Sequence, residues 1–396
     1  MNSPTSYSAD VVIVGGAVVG SAAAYFLAAQ RDFQGSVLVL EQDPSYQHCA
    51  TTRSAASIRH QFSTPENIRM SQFGTDFVRQ AAQLLAVDGL SPELGFHEGG
   101  YLFLATQAGQ AILEANHALQ RSLAVDVAML SPAQLQQRFA WINSTDLSLA
   151  SLGQSGEGWL DAHALMHALR RKAIALGARY LQAKVVGVQR GAQAVQSVQL
   201  ADGSTVRCGM LINAAGTGAT ALAQCAGLTL PVQARKRCVF YFTSSETAPG
   251  CPLVIDPSGV WFRPEGKGFI CGVSPPPEQD PPCLDFEVRH ELFDELLWPT
   301  LAARVPGFEA LRLHNAWAGH YDVNTLDHNV ILGAHPELDN MLFANGFSGH
   351  GLQHAPAVGR ALAELVCFGQ YRTLDLSAFG WRRVLAHQPL REINVV

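Results

Sequence analysis

The sequence has little charge and no basic opening. Lys, Arg, Asp and Glu make up 15% of its 396 residues, and the net charge is −6. Nucleic acids and anionic membranes are held through clustered cations, so neither is an expected partner. The two short basic runs, Arg235 to Arg237 and Arg170 to Lys172, are read as solvated surface. The first ten residues, MNSPTSYSAD, contain no Lys or Arg. The uncharged run Val11 to Ala29 that follows therefore lacks the basic flank of a signal peptide or membrane anchor, and no other segment is long and apolar enough to span a bilayer. The eight cysteines show neither a CxxC pair nor a regular spacing, which suits reduced, packed thiols in a cytoplasmic protein. There is no internal repeat. The one Pro-dense stretch, SPPPEQDPPC (Ser274 to Cys283), is read as a surface connection.

The length implies two lobes, and 48% hydrophobic residues can fill both cores. Within VVIVGGAVVGSAAAYFLAA, four β-branched residues precede Gly15 and Gly16, and Ala- and Leu-rich sequence follows Gly20. That order predicts a buried strand, a tight turn and a helix. A helix N-terminus behind a glycine turn offers unpaired N–H groups and a favourable dipole to a pyrophosphate. The usual fingerprint is G-x-G-x-x-G; here Gly15, Gly16, Ala17, Val18 and Gly20 give it with Ala17 at the second glycine. A second apolar strand, SVLVLEQD, ends at Glu41 and Gln42, and Glu41 stands 21 residues past Gly20. An acid at that distance accepts the ribose hydroxyls of an unphosphorylated adenosine, as in FAD or NAD.

Three further stretches favour FAD by resemblance. GMLINAAGTGATALAQCAG (Gly209 to Gly227), NMLFANGFSGHGLQHAPAVGRALAEL (Asn340 to Leu365) and TTRSAASIRHQFSTPENIRMSQF (Thr51 to Phe73) resemble elements of the D-amino-acid oxidase/sarcosine oxidase group of flavoproteins. The resemblance implies an α/β fold in which a Rossmann-type FAD-binding lobe (1–85, 150–228 and 320–396) is interleaved with an antiparallel-sheet substrate lobe (86–149 and 229–319). It places the cofactor against Thr51, Thr52 and Ser54 along the pyrophosphate, Val185 and Val186 near the adenine, and Ala214, Ala215 and Gly216 at the adenosine. Gly319, Tyr321, Gly346, Ser348, Gly349, Gly351 and Leu352 come beside the flavin. The β-rich stretches YLFLAT, CVFYFTS, GVWFRP and GFICGVS fit the antiparallel sheet, and Asp161 to Arg190 reads as a helix, a Gly break and a strand.

The same resemblance implies oxidation of a small amino acid or N-substituted amino acid by hydride transfer to flavin, giving an imine that hydrolyses. Arg59 matches an arginine that holds the substrate carboxylate, a task suited to a bidentate guanidinium, and His350 matches a histidine beside the flavin. Departures from the group are equally specific. Gln353 replaces a second, lysine anchor, and Ile270 falls near a lysine that activates oxygen. Gly319 or His320 replaces the cysteine that binds flavin covalently, and Tyr321 stands where the glycine-oxidase branch has arginine. These losses imply non-covalent FAD, with His48 or Cys49 as the alternative attachment, and a dehydrogenase using an unidentified electron acceptor in place of an oxidase.

Other constellations have structural explanations. His163 and His167 have metal-pair spacing without an HExxH glutamate, so no metal is expected. Glu157 with Asp161 and Asp322 with Asp327 are read as solvated or turn-capping acids, Thr64 and Pro65 as the N-cap and first residue of a helix, and Trp261 and Tyr241 as cavity or sheet-core aromatics. A second function stays open. The patterns QFS-PEN, WAG-YD-NT-D, GFSGHGLQ-AP and R-T-DLS-F resemble a branch of the group with an assembly role, which implies an FAD-binding scaffold factor with a protein partner or oligomeric contacts.

Overall fold

A computed structural model describes residues 6–393. Two eight-stranded sheets organise it. In the first, Leu338–Asn345, Thr205–Asn213, Ser6–Val14, Val37–Glu41 and Arg179–Gln182 lie parallel in that order. Val11, Val12 and Ile13 are buried on both faces, as a parallel strand covered on two sides requires. The uncharged run therefore divides into the end of the first strand, a turn, and the helix Val18–Ala29. Among the described residues no helix is long and apolar enough to cross a membrane. The helix packs on Gly351–Phe368 through small side chains: a Cβ on Gly359 would stand 2.6 Å from the Ala22 backbone. Such close approach needs glycine.

The second sheet runs in the order Arg312–Asn324, Val232–Thr243, Gly268–Gly272, Trp261–Glu265, Leu253–Ile255, Tyr101–Ala105, Leu149–Gly153 and Val127–Leu130. The four β-rich stretches all contribute to it. Its pairs are antiparallel except Leu253–Ile255 with Tyr101–Ala105. One face buries Phe240, Phe242, Phe262, Phe269 and Cys271 with Leu301 and Phe308. Strand alternation turns Ile270 and Arg263 to the other face, and the Arg263 guanidinium donates to the carbonyl of Ala55, on the segment that follows the ribose acid.

Several local expectations need correction. The segment after Gly177 forms two strands, Arg179–Gln182 and Val185–Arg190, because Ala183 donates to Glu41 O and the chain then changes partner from Val37–Glu41 to Val195–Leu200. Thr64 occupies the N-cap of Pro65–Arg79 but its side chain makes no cap bond. Glu392 from the C-terminal segment accepts the Ser63 N–H and both neighbouring hydroxyls instead. The run Arg235 to Arg237 is not simply solvated: Lys236 and Arg237 pair with Asp285 and Asp280, with side chains only 12% and 13% exposed. The Pro-dense connection therefore lies against the sheet. All eight cysteines are free thiols.

Candidate active site and cofactor cavity

A cavity of about 520 Å³ opens at the carboxyl ends of the first sheet's strands, where such sheets bind ligands. Gly15, Ala17 and Val18 line it at the helix N-terminus, and Glu41 and Gln42 at the next strand end. Gly15 has φ +99°, and a Cβ there would lie 2.3 Å from Ala214 O, so the turn requires glycine. Ala17 has φ −68°, an ordinary conformation for alanine, which is why the imperfect fingerprint still forms the turn. Glu41 is held ready: Oε2 accepts the Gly16 N–H at 2.7 Å and Oε1 accepts the Asp43 N–H at 2.8 Å. Gly16 and Gly20 do not line the cavity. Gly20 lets helix and turn meet, since a Cβ would stand 1.8 Å from Gly15 O.

Thr51 and Ser54 reach the cavity, and Thr51 Oγ1 accepts the Val18 N–H at 3.4 Å. Thr52 instead donates to Tyr46 O within its own turn. Val185 and Val186 line one wall, with Ala214, Ala215 and Gly216 beside them. The Asn213 side chain shapes that turn by accepting the Ala215 N–H and donating to Ala219 O. At the other end stand Tyr321, Gly349, Gly351 and Leu352, together with His320, Asp322 and Phe347. Gly319, Gly346 and Ser348 support this end from behind. Arg53 fills the space a Gly319 Cβ would need, Gly346 donates to the Asp322 carboxylate, and Ser348 Oγ accepts the Asn324 N–H. Burial raises the Asp322 pKa to about 6 against these amides.

Two buried polar atoms among the cavity-lining residues, Tyr46 Oη and His320 Nε2, have no partner. Unsatisfied groups of this kind fit a ligand that supplies hydrogen bonds. The glycine turn, the poised acid and these orphans together suit a dinucleotide.

Arg59, His350 and Gln353 converge behind the inner end of the cavity but do not line it. Arg59 is 2% exposed, and its guanidinium lies 4.1 Å from the centre of the Phe62 ring. Nη1 donates to Gln61 O at 2.7 Å, and Nη2 meets His350 Nε2 at 3.1 Å. Gln353 Oε1 accepts the Arg59 backbone N–H and the Ser71 hydroxyl, so it fixes the arginine's backbone. Burial, then the Arg59 charge, holds the His350 pKa well below the usual imidazole range.

The structure adds residues the motifs did not signal. Glu157, expected at a solvated loop, is fully buried and accepts the backbone N–H groups of His60 and Gln61. Burial raises its pKa to about 7 while the Gln61 amide and these N–H groups lower it. No charge pattern in the sequence could reveal this, because its partners are backbone N–H groups and a neutral side-chain amide about a hundred residues away. Asp161 caps the helix Ala162–Ala175, and Asp327 pairs with Arg383 at 2.7 Å. Phe286, just past the Pro-dense stretch, packs on His48 and His320, with ring centres 4.9 and 4.5 Å away. His48, Cys49 and His320 all line the cavity, so this segment covers that part of it. His163 and His167 approach at 3.0 Å through Nε2, but no group of three metal-ligating side chains occurs among the described residues. Neither Tyr241 nor Trp261 lines the cavity.

The family model described as DAO, FAD dependent oxidoreductase, matches residues 10–365. The chain belongs to this family. Its cofactor is FAD, and Glu41, the glycine turn and the Ala214–Gly216 segment line a cavity that could hold it. The chain is 42% identical to FAD-dependent oxidoreductase domain-containing protein 1 of Xenopus laevis, covering 98% of this chain and 85% of that protein. It is 25% identical to mitochondrial sarcosine dehydrogenase of Mus musculus, over 96% of this chain and 42% of the relative. The fold matches that of L-proline dehydrogenase from P. horikoshii with a TM-score of 0.86 and 23% identity, covering 97% of this chain and all of that one.

Proposed function

We propose that this DAO-family protein dehydrogenates a small amino acid or N-substituted amino acid. The observation that carries the reading is the buried Arg59–His350 pair set behind the flavin end of the cavity. FAD, when bound, supplies the hydride acceptor. Arg59 anchors the substrate carboxylate in a setting of Phe62, Phe103 and Tyr101, where low polarity strengthens the ion pair. The neutral His350 fixes one edge of the guanidinium and adds no second cation. The named activities of sarcosine dehydrogenase and L-proline dehydrogenase, relatives in sequence and fold, point to the same substrate class.

The absence of lysine at Ile270 supports a dehydrogenase over an oxidase. Ile270 is 2% exposed and pairs with Tyr241 and Arg263; the Arg263 charge is committed to Glu265 and to carbonyls. FAD is held non-covalently in this reading, and the electron acceptor is a separate molecule. Anaerobic bleaching of the flavin band during a screen of amino acids and N-methyl amino acids tests it. Bleaching by such a substrate is expected. No bleaching by any of them, with FAD bound, would favour the scaffold reading, which the 42% identity to a protein named only for its oxidoreductase domain leaves open.

A further inference from the structure

We infer that Glu157 is the positioning residue of the Arg59 anion site. The inference rests on the reading of Arg59 as the carboxylate anchor. Its grounds are the contacts that converge on Glu157 from the segment just past Arg59 and from the second sheet. The short ribbon Ser57–Ile58 pairs antiparallel with Gly158–Trp159, which brings residue 157 against the backbone just past Arg59. Oε1 of Glu157 accepts the N–H groups of His60 and Gln61 at 2.6 and 3.0 Å, and Oε2 accepts the Gln61 side-chain amide at 2.8 Å. That amide is itself locked: its nitrogen donates to Tyr101 O and its oxygen accepts the Ser151 hydroxyl. The Gln61 carbonyl then accepts Nη1 of Arg59. One carboxylate thus fixes Gln61 by its N–H and its side chain, and the carbonyl of that residue aims the guanidinium.

The surroundings are shaped to this carboxyl group. A Cβ on Gly153 would come within 1.8 Å of Glu157 Oε2, so the adjoining strand leaves room for the carboxylate only because it carries glycine there. The His60 N–H, the Gln61 N–H and the Gln61 side-chain amide all donate to the Glu157 carboxyl, which matches an acceptor-only side chain. Glutamine cannot replace it without loss. Its amide nitrogen would either face the two backbone N–H groups or face the Gln61 amide nitrogen, and turning Gln61 would forfeit the Ser151 and Tyr101 bonds. Glu157 touches neither the cavity nor any reacting atom, and acts through the orientation of Arg59.

The test uses the FAD-loaded protein and reads ligand binding by perturbation of the flavin absorbance. Acetate and benzoate probe the anion site, and benzamide is the uncharged control. In Glu157→Gln the carboxylate dissociation constants rise about tenfold and that of benzamide changes less than twofold, with FAD content unchanged. Gln61→Met, which cuts the Oε2 link while leaving the backbone contacts, gives the same pattern at about threefold, and it decides the matter if Glu157→Gln does not fold. Wild-type carboxylate affinity in both variants, or equal weakening of benzoate and benzamide, overturns the positioning role alone. Wild-type protein that binds no carboxylate, or an Arg59→Met variant that binds carboxylates as well as wild type, overturns the anchor reading and this inference with it.

Discussion

Nη2 of Arg59 lies 3.1 Å from Nε2 of His350, two buried side chains 291 positions apart in sequence. A guanidinium only donates, so Nε2 must be the accepting nitrogen and His350 is neutral with its proton on Nδ1. The pair therefore carries one positive charge, on Arg59. Replacing Arg59 by lysine keeps the charge but loses the forked geometry and the contact with Phe62. Such a variant should retain FAD and lose on the order of tenfold to a hundredfold in kcat/KM for a carboxylate substrate, about 1.4 to 3 kcal/mol. Steady-state kinetics with the substrate found by anaerobic bleaching would check it.

Three buried histidines predict acid sensitivity. Desolvation holds His60 at about 4 and His354 at about 3, and lowers His350 as well. Their folded pKa values lie below the unfolded value, so the stability they provide is complete above about pH 6.5 and is lost as pH falls toward their folded values. His60 alone accounts for on the order of 3 kcal/mol across that window. Glu157 has the opposite sign. Raised to about 7, its contribution is present below the unfolded carboxylate pKa and lost as pH rises through 7. Thermal melts of the FAD-loaded protein should show Tm falling steadily from pH 6.5 to 4, because the three histidines together outweigh Glu157; a flat profile would mean that they do not.

Retention of FAD should depend on Glu41 and on the space at Gly20. Glu41→Arg places a cation where the ribose hydroxyls need an acceptor, and it also breaks the bonds from Gly16 and Asp43. Gly20→Ala brings a methyl against Gly15 O. Both variants should purify colourless or nearly so, by the ratio of flavin to protein absorbance. Unchanged occupancy in folded Glu41→Arg would show that another group holds the ribose.

The segment carrying Asp280, Asp285 and Phe286 should slow exchange at the flavin end. Lys236 and Arg237 hold its two aspartates, and Phe286 packs on His48 and His320 beneath the Arg53 guanidinium. Phe286→Ala should speed FAD dissociation several-fold with little change in Tm, because the pairs to Lys236 and Arg237 remain. Flavin fluorescence recovery after dilution measures this rate, and an unchanged rate would place the barrier elsewhere.

Oxygen should be a poor acceptor. Ile270, at the position the family resemblance sets near the flavin, offers no charge to stabilise an anion forming on reoxidation. Stopped-flow reoxidation under air should be slow beside turnover with an artificial dye, and Ile270→Lys should raise the air rate more than the rate of reduction by substrate. The added cation sits beside Arg263, so a lower Tm in that variant is expected too. Wild-type reoxidation by air as fast as dye turnover would show that another cation serves oxygen.

The ligand end of the first sheet was legible in the sequence because its determinants are local. The strand Ser6–Val14, the turn at Gly15, the helix after Ala17 and the acid at Glu41 follow from β-branched runs, two glycines and a fixed spacing. The FSGHG turn and the Asn213 turn were equally local, and resemblance then supplied the cofactor's identity. What the tertiary structure alone decided is which side chains meet across long separations. Arg59 pairs with His350, Glu157 closes on His60 and Gln61, Glu392 binds Ser63 and Thr64 just before the helix begun by Pro65, and Phe286 lies over His48 and His320. These contacts use backbone amides, ring faces and space left by glycine, none of which marks a residue type or a period. Sequence pattern records how a segment folds on itself, whereas the placing of a buried charge depends on what distant segments bring to the same few ångströms.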